Sequence, residues 1–575
     1  MVITRRQWLL IVTLLLVAAS FRIAVAHWWP NDAPDDGRVY AQMARNVLEQ
    51  HLFSHDAQSP YSPSLIRLPG YPGFLAAIYS VFGHTNNGAV RIVQALIDTG
   101  TCALMGLLAF YWQPDETKKR TTAIAALALA AVCPFTTIYT ATILTEVLTN
   151  FLMIAMFVAV TIAFKKLSTE GTEEDKNSKG NLRSALLWWG IAGLIGGLAV
   201  MMRPDSGLFL AAVGLTLVTA GLGSWVLGLK RKSKVQSPKS KDQKSETKDQ
   251  NRAPGLQPQV LSLKKSFTRI IVSGVALSFT FILVLAPWTI RNWRVFHVFQ
   301  PLAPAHGEMP GEFVPRGYYL WLRTWLDDQS YVQPFLWSLD TDPIDIDDIP
   351  AYAFDSENEQ KRVATLIEAY NNESDQDSSS EPQPSPNASP TPTPNGEEEE
   401  SEQENDKPDN SAQQDHPSVE MTPEIDAAFA ELARDRIARH PFRFYVWLPL
   451  KRARTIWFDT HTQYWPFEGT LFPLEDLDYS THQQIWLPLF AGLTAIYTIL
   501  GLLGGWFLWE SGRLAARRWL LLVFLAILLR LILFSWIENP EPRYTVEFFP
   551  LLSVLAGIAI AQLPKLTKKA TDEHG

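Results

Sequence analysis

The chain has 575 residues, two cysteines and a formal charge of -9, too long for one ordinary core and without a disulfide framework, a zinc spacing or a redox pair. The charge misleads: residues 371–420 hold 14 acids and one lysine, which leaves about +4 for everything else. An acidic partner is therefore not implied, and no basic patch points to nucleic acid.

A mean hydropathy near zero hides segregation of apolar runs long enough to cross a bilayer from very polar loops. Ten spans are predicted, at about 7–29, 88–112, 121–140, 146–164, 184–202, 206–229, 268–290, 484–508, 518–537 and 545–563. The fold class expected is an all-α polytopic membrane protein. Arg5 and Arg6 precede the first run, and Ala24–Ala26 could pass for a cleavage site. The length of that run and the spans behind it favour an uncleaved first span.

Just past it, Asp35 and Asp36 stand side by side near a membrane face, where an ionisable pair is costly and implies a task. A solvated helix cap explains Asp36 as well, since Tyr40–Leu52 is amphipathic. Residues 30–87 form the first outer loop. Within it, Pro69–Gly83 is apolar but too short for a span and opens with two prolines, so an interfacial helix is expected. Counting it as a span would put every later basic loop outside, against the Lys/Arg bias.

With that parity Lys118–Arg120, Lys165/Lys166, the 230–269 loop and Lys565–Lys569 face the cytoplasm, as do both termini. The loop from Lys230 to Arg269 carries 12 Lys/Arg against three acids and is expected to be disordered over about 230–265. Residues 1–290 then form the transmembrane core, 291–483 an extracytoplasmic loop domain, and 484–575 the last helices and a short tail. Inside the loop domain, about 370–420 is too polar and Pro/Ser-rich to fold. Its flanks are expected to fold: Tyr318–Trp337 carries Trp321, Trp325 and Trp337. Thr422-Pro423-Glu424 opens a helix with Ile425, Phe429 and Leu432 on one face, ended by His440-Pro441.

The unusual polar residues at span ends fall on one side: Asp35/Asp36, Arg67, Glu146, Arg203 with Asp205, Arg291-Asn292, and Glu541, Arg543 and Tyr544. Arginines bind phosphate through paired charge-assisted hydrogen bonds, and a carboxylate can serve an acceptor hydroxyl or amine. That combination beside lipid suits a sugar carried on a polyprenyl phosphate. Asp340-Thr-Asp342 and Asp345-Ile-Asp347 resemble a nucleotide-sugar metal site but lie in an acidic loop. His440, His461 and His482 are too widely spaced for a metal, and neither metal nor cofactor is expected. Asn372-Glu-Ser374 and Asn387-Ala-Ser389 match a glycosylation pattern common in such tracts.

Asp36-x-x-x-Tyr40-x-x-x-Ala44-x-Asn46 followed by Arg67-Leu68-Pro69-Gly70-Tyr71-Pro72 resembles the first outer loop of the glycosyltransferase C superfamily. The branch it resembles holds the protein O-mannosyltransferases and lipid A aminoarabinose transferases. Arg91-x-x-Gln94, Leu144-Thr145-Glu146, Gly196–Ala199 through Arg203-Pro204, Pro287-Trp288-x-x-Arg291-Asn292 and Pro542-Arg543-Tyr544 extend the likeness. It covers about 7–563 apart from the inserts at 230–265 and 370–420.

The resemblance implies that Asp36 is the catalytic acid, with Asp35 its neighbour, and that Glu146 is a second acid. Arg67, with Tyr40 and Tyr71, would contact the donor's phosphate or sugar. Arg203, Arg291, Asn292, Arg543 and Tyr544 are further donor contacts. Mannosyltransferases usually read Asp-Glu where this chain has Asp35-Asp36-Gly37. The expected activity is transfer of a sugar from a polyprenyl-phosphate donor to a protein, lipid or glycan acceptor at the outer face of a bacterial inner membrane. The alternative is a transporter or flippase of lipid-linked sugars.

Overall fold

A computed structural model describes residues 4–32, 36–168, 178–220, 257–377, 419, 421–467, 469–471 and 480–573. Asp35, the second glycosylation pattern at 387–389, and most of the two inserts lie outside those residues. Among the described residues the structure is helical, apart from one isolated β-bridge between Asn31 and Thr142. The chain divides into two compact units, 1–312 with 456–533 and 542–575, and 313–455 with 534–541.

The first unit is the membrane part. Among the described residues seven helices are long and apolar enough to cross a bilayer: Arg5–Trp28, Asn87–Trp112, Glu146–Leu167, Gly180–Met202, Phe267–Phe296, Thr481–Glu510 and Leu514–Trp536. An eighth crossing is possible by length if Lys119–Ala131 and Pro134–Thr140 act together, but they are bent by 54°. The sequence reading treats 121–140 as one run. Pro134 has no N–H to give and disfavours helix at the residue before it, so Cys133 is extended (φ -69°, ψ 112°). Pro204–Ala220 and Phe548–Leu563 are shorter apolar helices, and residues 221–229 of the expected sixth span lie outside the described residues.

The apolar core of this unit is built by Met105, Leu108, Trp112, Phe157, Phe164, Trp189, Trp519 and Leu551 with their neighbours. Two charges sit inside it. The Arg22 Nε donates to Asp98 Oδ2 at 2.6 Å, and its other nitrogens donate to the carbonyls of Ala130 and Ala131, both at 3.1 Å. Those carbonyls are freed by the helix break, so the guanidinium ties three helices at the bend and satisfies what proline left open. Gly70, opening the helix Gly70–Phe82, lies so close to the end of another helix that a Cβ would stand 2.4 Å from the Met201 carbonyl oxygen. Only glycine fits there.

The second unit has its own core around Tyr318, Trp321, Trp325, Val363, Ile367, Tyr370 and Phe429. Helix Pro423–Arg439 starts at Thr422, whose hydroxyl accepts from the Ile425 amide at 3.4 Å, and it buries Ile425, Phe429 and Leu432. Trp321 and Trp325 are buried, whereas Trp337 is exposed.

Three boundaries move. Helix Glu357–Asp377 runs into the stretch expected to be unstructured from 370, because Val363, Ile367 and Tyr370 give it an apolar face to bury. Helix Gln257–Phe296 likewise begins inside the expected 230–265 linker. The loop domain is narrower than 291–483: 291–312 and 456–483 fall in the first unit. Trp465 and its neighbours Trp457, Tyr464 and Phe467 pack there with Phe490 and Phe549.

Candidate active site

Four loops and helix ends of the first unit, with Arg530 from within helix Leu514–Trp536, supply the charged residues. The strand-like contact of Asn31 with Thr142, the Arg91 Nε donating to the Ala141 carbonyl at 2.9 Å, and the Gln94 side-chain amide donating to the Thr142 carbonyl at 2.9 Å hold the segment before Glu146. Arg91-x-x-Gln94 therefore positions the second acid. Asn46 does the same for the first loop, donating to the carbonyls of Ser54 (3.0 Å) and Asp56 (2.9 Å). Asp56 accepts from Ser54 and from both the amide and hydroxyl of Ser62, closing that loop.

Asp36 opens helix Asp36–Glu49, where the helix dipole favours a carboxylate. Its Oδ1 accepts from Arg67 Nη2 at 2.9 Å and its Oδ2 from Arg543 Nη1 at 3.3 Å, a residue 507 positions away. Arg543 also reaches the Tyr464 hydroxyl at 3.4 Å. This clamp is open: the side chains of Asp36 and Arg67 are 25% and 32% exposed. Burial pushes the Asp36 pKa up, but the Arg543 and Arg67 guanidiniums outweigh it and hold the carboxyl below its usual value. Gly307, at φ +74°, brings backbone beside Arg67, where a Cβ would lie 3.3 Å from Nη1.

Beyond it lies a buried network. Arg203 Nη1 donates to Glu146 Oε1 at 2.8 Å and to Glu547 Oε1 at 3.3 Å, and its Nε donates to Asp205 Oδ1 at 3.2 Å. Arg530 pairs with Asp205 and donates to Glu547 Oε2 at 3.0 Å. Three carboxylates thus face two guanidiniums, one negative charge in excess. Arg67, Arg543 and Asp36 together supply one positive charge, so the whole assembly is balanced.

Two rings join clamp and network. The Tyr544 ring contacts both guanidiniums, Arg203 at 5.6 Å and Arg543 at 5.4 Å. Tyr40 packs edge-on to Tyr71 at 5.1 Å, and its hydroxyl feels Asp36, Arg67, Glu146 and Arg203. Burial first, then the Asp36 charge, pushes that hydroxyl up to about 12.

Of the residues singled out from sequence, the structure brings together Asp36, Tyr40, Arg67, Glu146, Arg203, Asp205, Arg543 and Tyr544. Tyr71 is buried behind Tyr40, with its hydroxyl donating to Gln94 Oε1 at 2.8 Å. For Arg291 and Asn292, which the resemblance implies as donor contacts, the structure shows partners in loop backbone. Arg291 donates to the Ser64 carbonyl at 2.8 Å and lies over the Trp288 ring, and Asn292 donates to the Gln300 carbonyl at 2.8 Å. Both fix loop backbone. Asp340 and Asp345 are likewise spent on the amides of Met421 and Asp347.

Arg530 and Glu547 were missed in sequence, although an ionisable residue inside an apolar run was the available signal. His461 is buried, with Nε2 3.1 Å from the Trp457 carbonyl oxygen, and burial lowers its pKa to about 4. It is therefore neutral and serves packing between Phe135 and Phe549.

The arrangement can hold an anion against guanidiniums while keeping an ionised carboxylate beside it. Comparison with protein-family models, with curated proteins and with solved structures returned no match.

Proposed function

We propose that this membrane protein is a glycosyltransferase that moves a sugar from a polyprenyl-phosphate donor to a protein, lipid or glycan acceptor. In this reading the chain has ten spans, the helix Gly70–Phe82 lies in the interface, and both termini are cytoplasmic. The site then faces the extracytoplasmic side of a bacterial inner membrane, where nucleotide sugars are not normally present. One observation carries the proposal: an ionised Asp36 held between two guanidiniums that remain partly exposed.

Arg67 uses one N–H on Asp36 and one on the Ile66 carbonyl, which leaves donors for phosphate oxygens. Asp36 accepts a hydrogen bond from the acceptor's O–H or N–H and aims its lone pair at the anomeric carbon. As that bond forms, the bond from the anomeric carbon to the phosphate oxygen breaks. Its electron pair moves onto the phosphate, which Arg67 and Arg543 stabilise. The nucleophile's proton is held by Asp36 and passes to water. A carboxylate with a lowered pKa is a weak base, so orientation outweighs proton abstraction.

The second reading, a carrier of lipid-linked sugars, calls for ionisable groups within the spans, and the Arg22–Asp98 pair found there is tied up with backbone carbonyls. A single assay separates the two. Intact protein with labelled polyprenyl-phosphate sugar and a mixed pool of acceptors should release free polyprenyl phosphate, and Asp36→Asn should bind donor without releasing it. Donor that moves between leaflets with its sugar bond intact supports the carrier instead.

A further inference from the structure

In the second unit, residues 441–455 contain four basic residues and no acid. Helix Leu448–Phe458 follows directly on the π-helical turn Arg443–Trp447. Phe444 and Leu448 are buried, but five apolar side chains here point outward: Phe442 is 68% exposed, Trp447 51% and Leu450 59%, with Tyr445 and Val446 beside them. A basic segment with an exposed aromatic and aliphatic face is the composition of an interfacial helix.

Its place in the fold names what covers it. Tyr445 stacks on Trp536 at 6.0 Å, and Phe444 lies 6.1 Å from the same ring. Trp536 ends Leu514–Trp536, a helix long and apolar enough to span a membrane. Aromatic rings at such an end sit at headgroup level, so the exposed face lies there too.

Arg443, Trp447 and Lys451 follow at four-residue spacing and line a cavity of about 410 Å³ with Asp327, Tyr352 and Phe442. Lys451 Nζ donates to Asp327 Oδ2 at 2.9 Å, and Arg443 Nη2 donates to the Tyr352 carbonyl at 2.9 Å. Both cations are thus aimed by the protein, and both remain partly exposed.

We propose that residues 442–451 dock on the bilayer surface and that the cavity takes an anionic phospholipid headgroup, with Arg443 and Lys451 on its phosphate and Phe442, Trp447 and Leu450 among the acyl chains. This holds whatever Asp36 does.

The test uses the intact protein in nanodiscs of phosphatidylcholine alone or with added phosphatidylglycerol, reading amide exchange across residues 442–454 by mass spectrometry. Phosphatidylglycerol should slow exchange there. Arg443→Gln with Lys451→Gln should raise the phosphatidylglycerol needed for half-protection by roughly fivefold per lost cation. Phe442→Ser with Trp447→Ser changes exposed residues only and should raise exchange in both lipids. Equal exchange in both lipids, or lipid-dependent protection that survives the double Gln variant, overturns the proposal. So does equal protection by inorganic phosphate in phosphatidylcholine discs, which would make the cavity a soluble-anion site.

Discussion

Two arginine–aspartate pairs in the membrane unit look alike on paper and are built for opposite ends. Arg22 and Asp98 are both almost fully buried, and the guanidinium spends its remaining donors on backbone carbonyls released by the Pro134 break. Asp36 is gripped by two arginines, yet clamp and carboxylate stay partly open. A buried pair that is fully satisfied has nothing to offer a ligand. An exposed one adds little to stability and keeps bonding capacity for something else. Burial and surplus donors, more than the presence of charge near a membrane, separate scaffold from site.

The sharpest way to break this contrast is to strip each pair. Arg67→Ala with Arg543→Ala should cost transfer roughly 100- to 1,000-fold for each donor removed, with a melting temperature close to wild type. Normal transfer rates would remove both arginines from the site. Arg22→Leu alone leaves Asp98 buried without its partner and should destabilise by about 3–5 kcal/mol. Adding Asp98→Leu should restore most of it, which thermal unfolding in detergent would read. Equal losses in single and double variants would mean the pair is not coupled.

Gly70→Ala sharpens the comparison on the packing side. The added methyl meets the Met201 carbonyl oxygen, and overpacking of this kind costs roughly 1–3 kcal/mol. The smallest effect concerns pH. Because Asp36 is held below its unfolded value, its contribution is present above the ordinary aspartate pKa, about 3.9, and is lost as pH falls through the lower folded value. Transfer should therefore show no acid limb from Asp36 until pH drops below about 4. A limb near neutrality that disappears in Asp36→Asn would contradict the clamp.

Much of this was legible in the residues. Hydropathy marked the helices, the Thr422 cap marked its helix start, and the polar residues at span ends included eight that meet in space. Hydropathy windows averaged away single charges, however, so Arg22, Asp98, Arg530 and Glu547 passed unnoticed inside apolar runs. Pro134 was visible, but a run of apolar residues reads the same whether straight or bent. The roles given to Arg291 and Asn292 came from a motif, and a motif does not say which carbonyl a guanidinium will find. Nor does any local pattern reveal that Arg543 closes on Asp36, since span order along the chain leaves helix neighbours open.

That last contact supports the most direct test. Transfer rates are compared for Asp36→Asn, Arg543→Gln and the two together in the intact reconstituted protein. If both residues act in one step at one site, the double variant falls no further than the worse single variant. Losses that multiply would mean that the two side chains work independently, and the site described here would not exist.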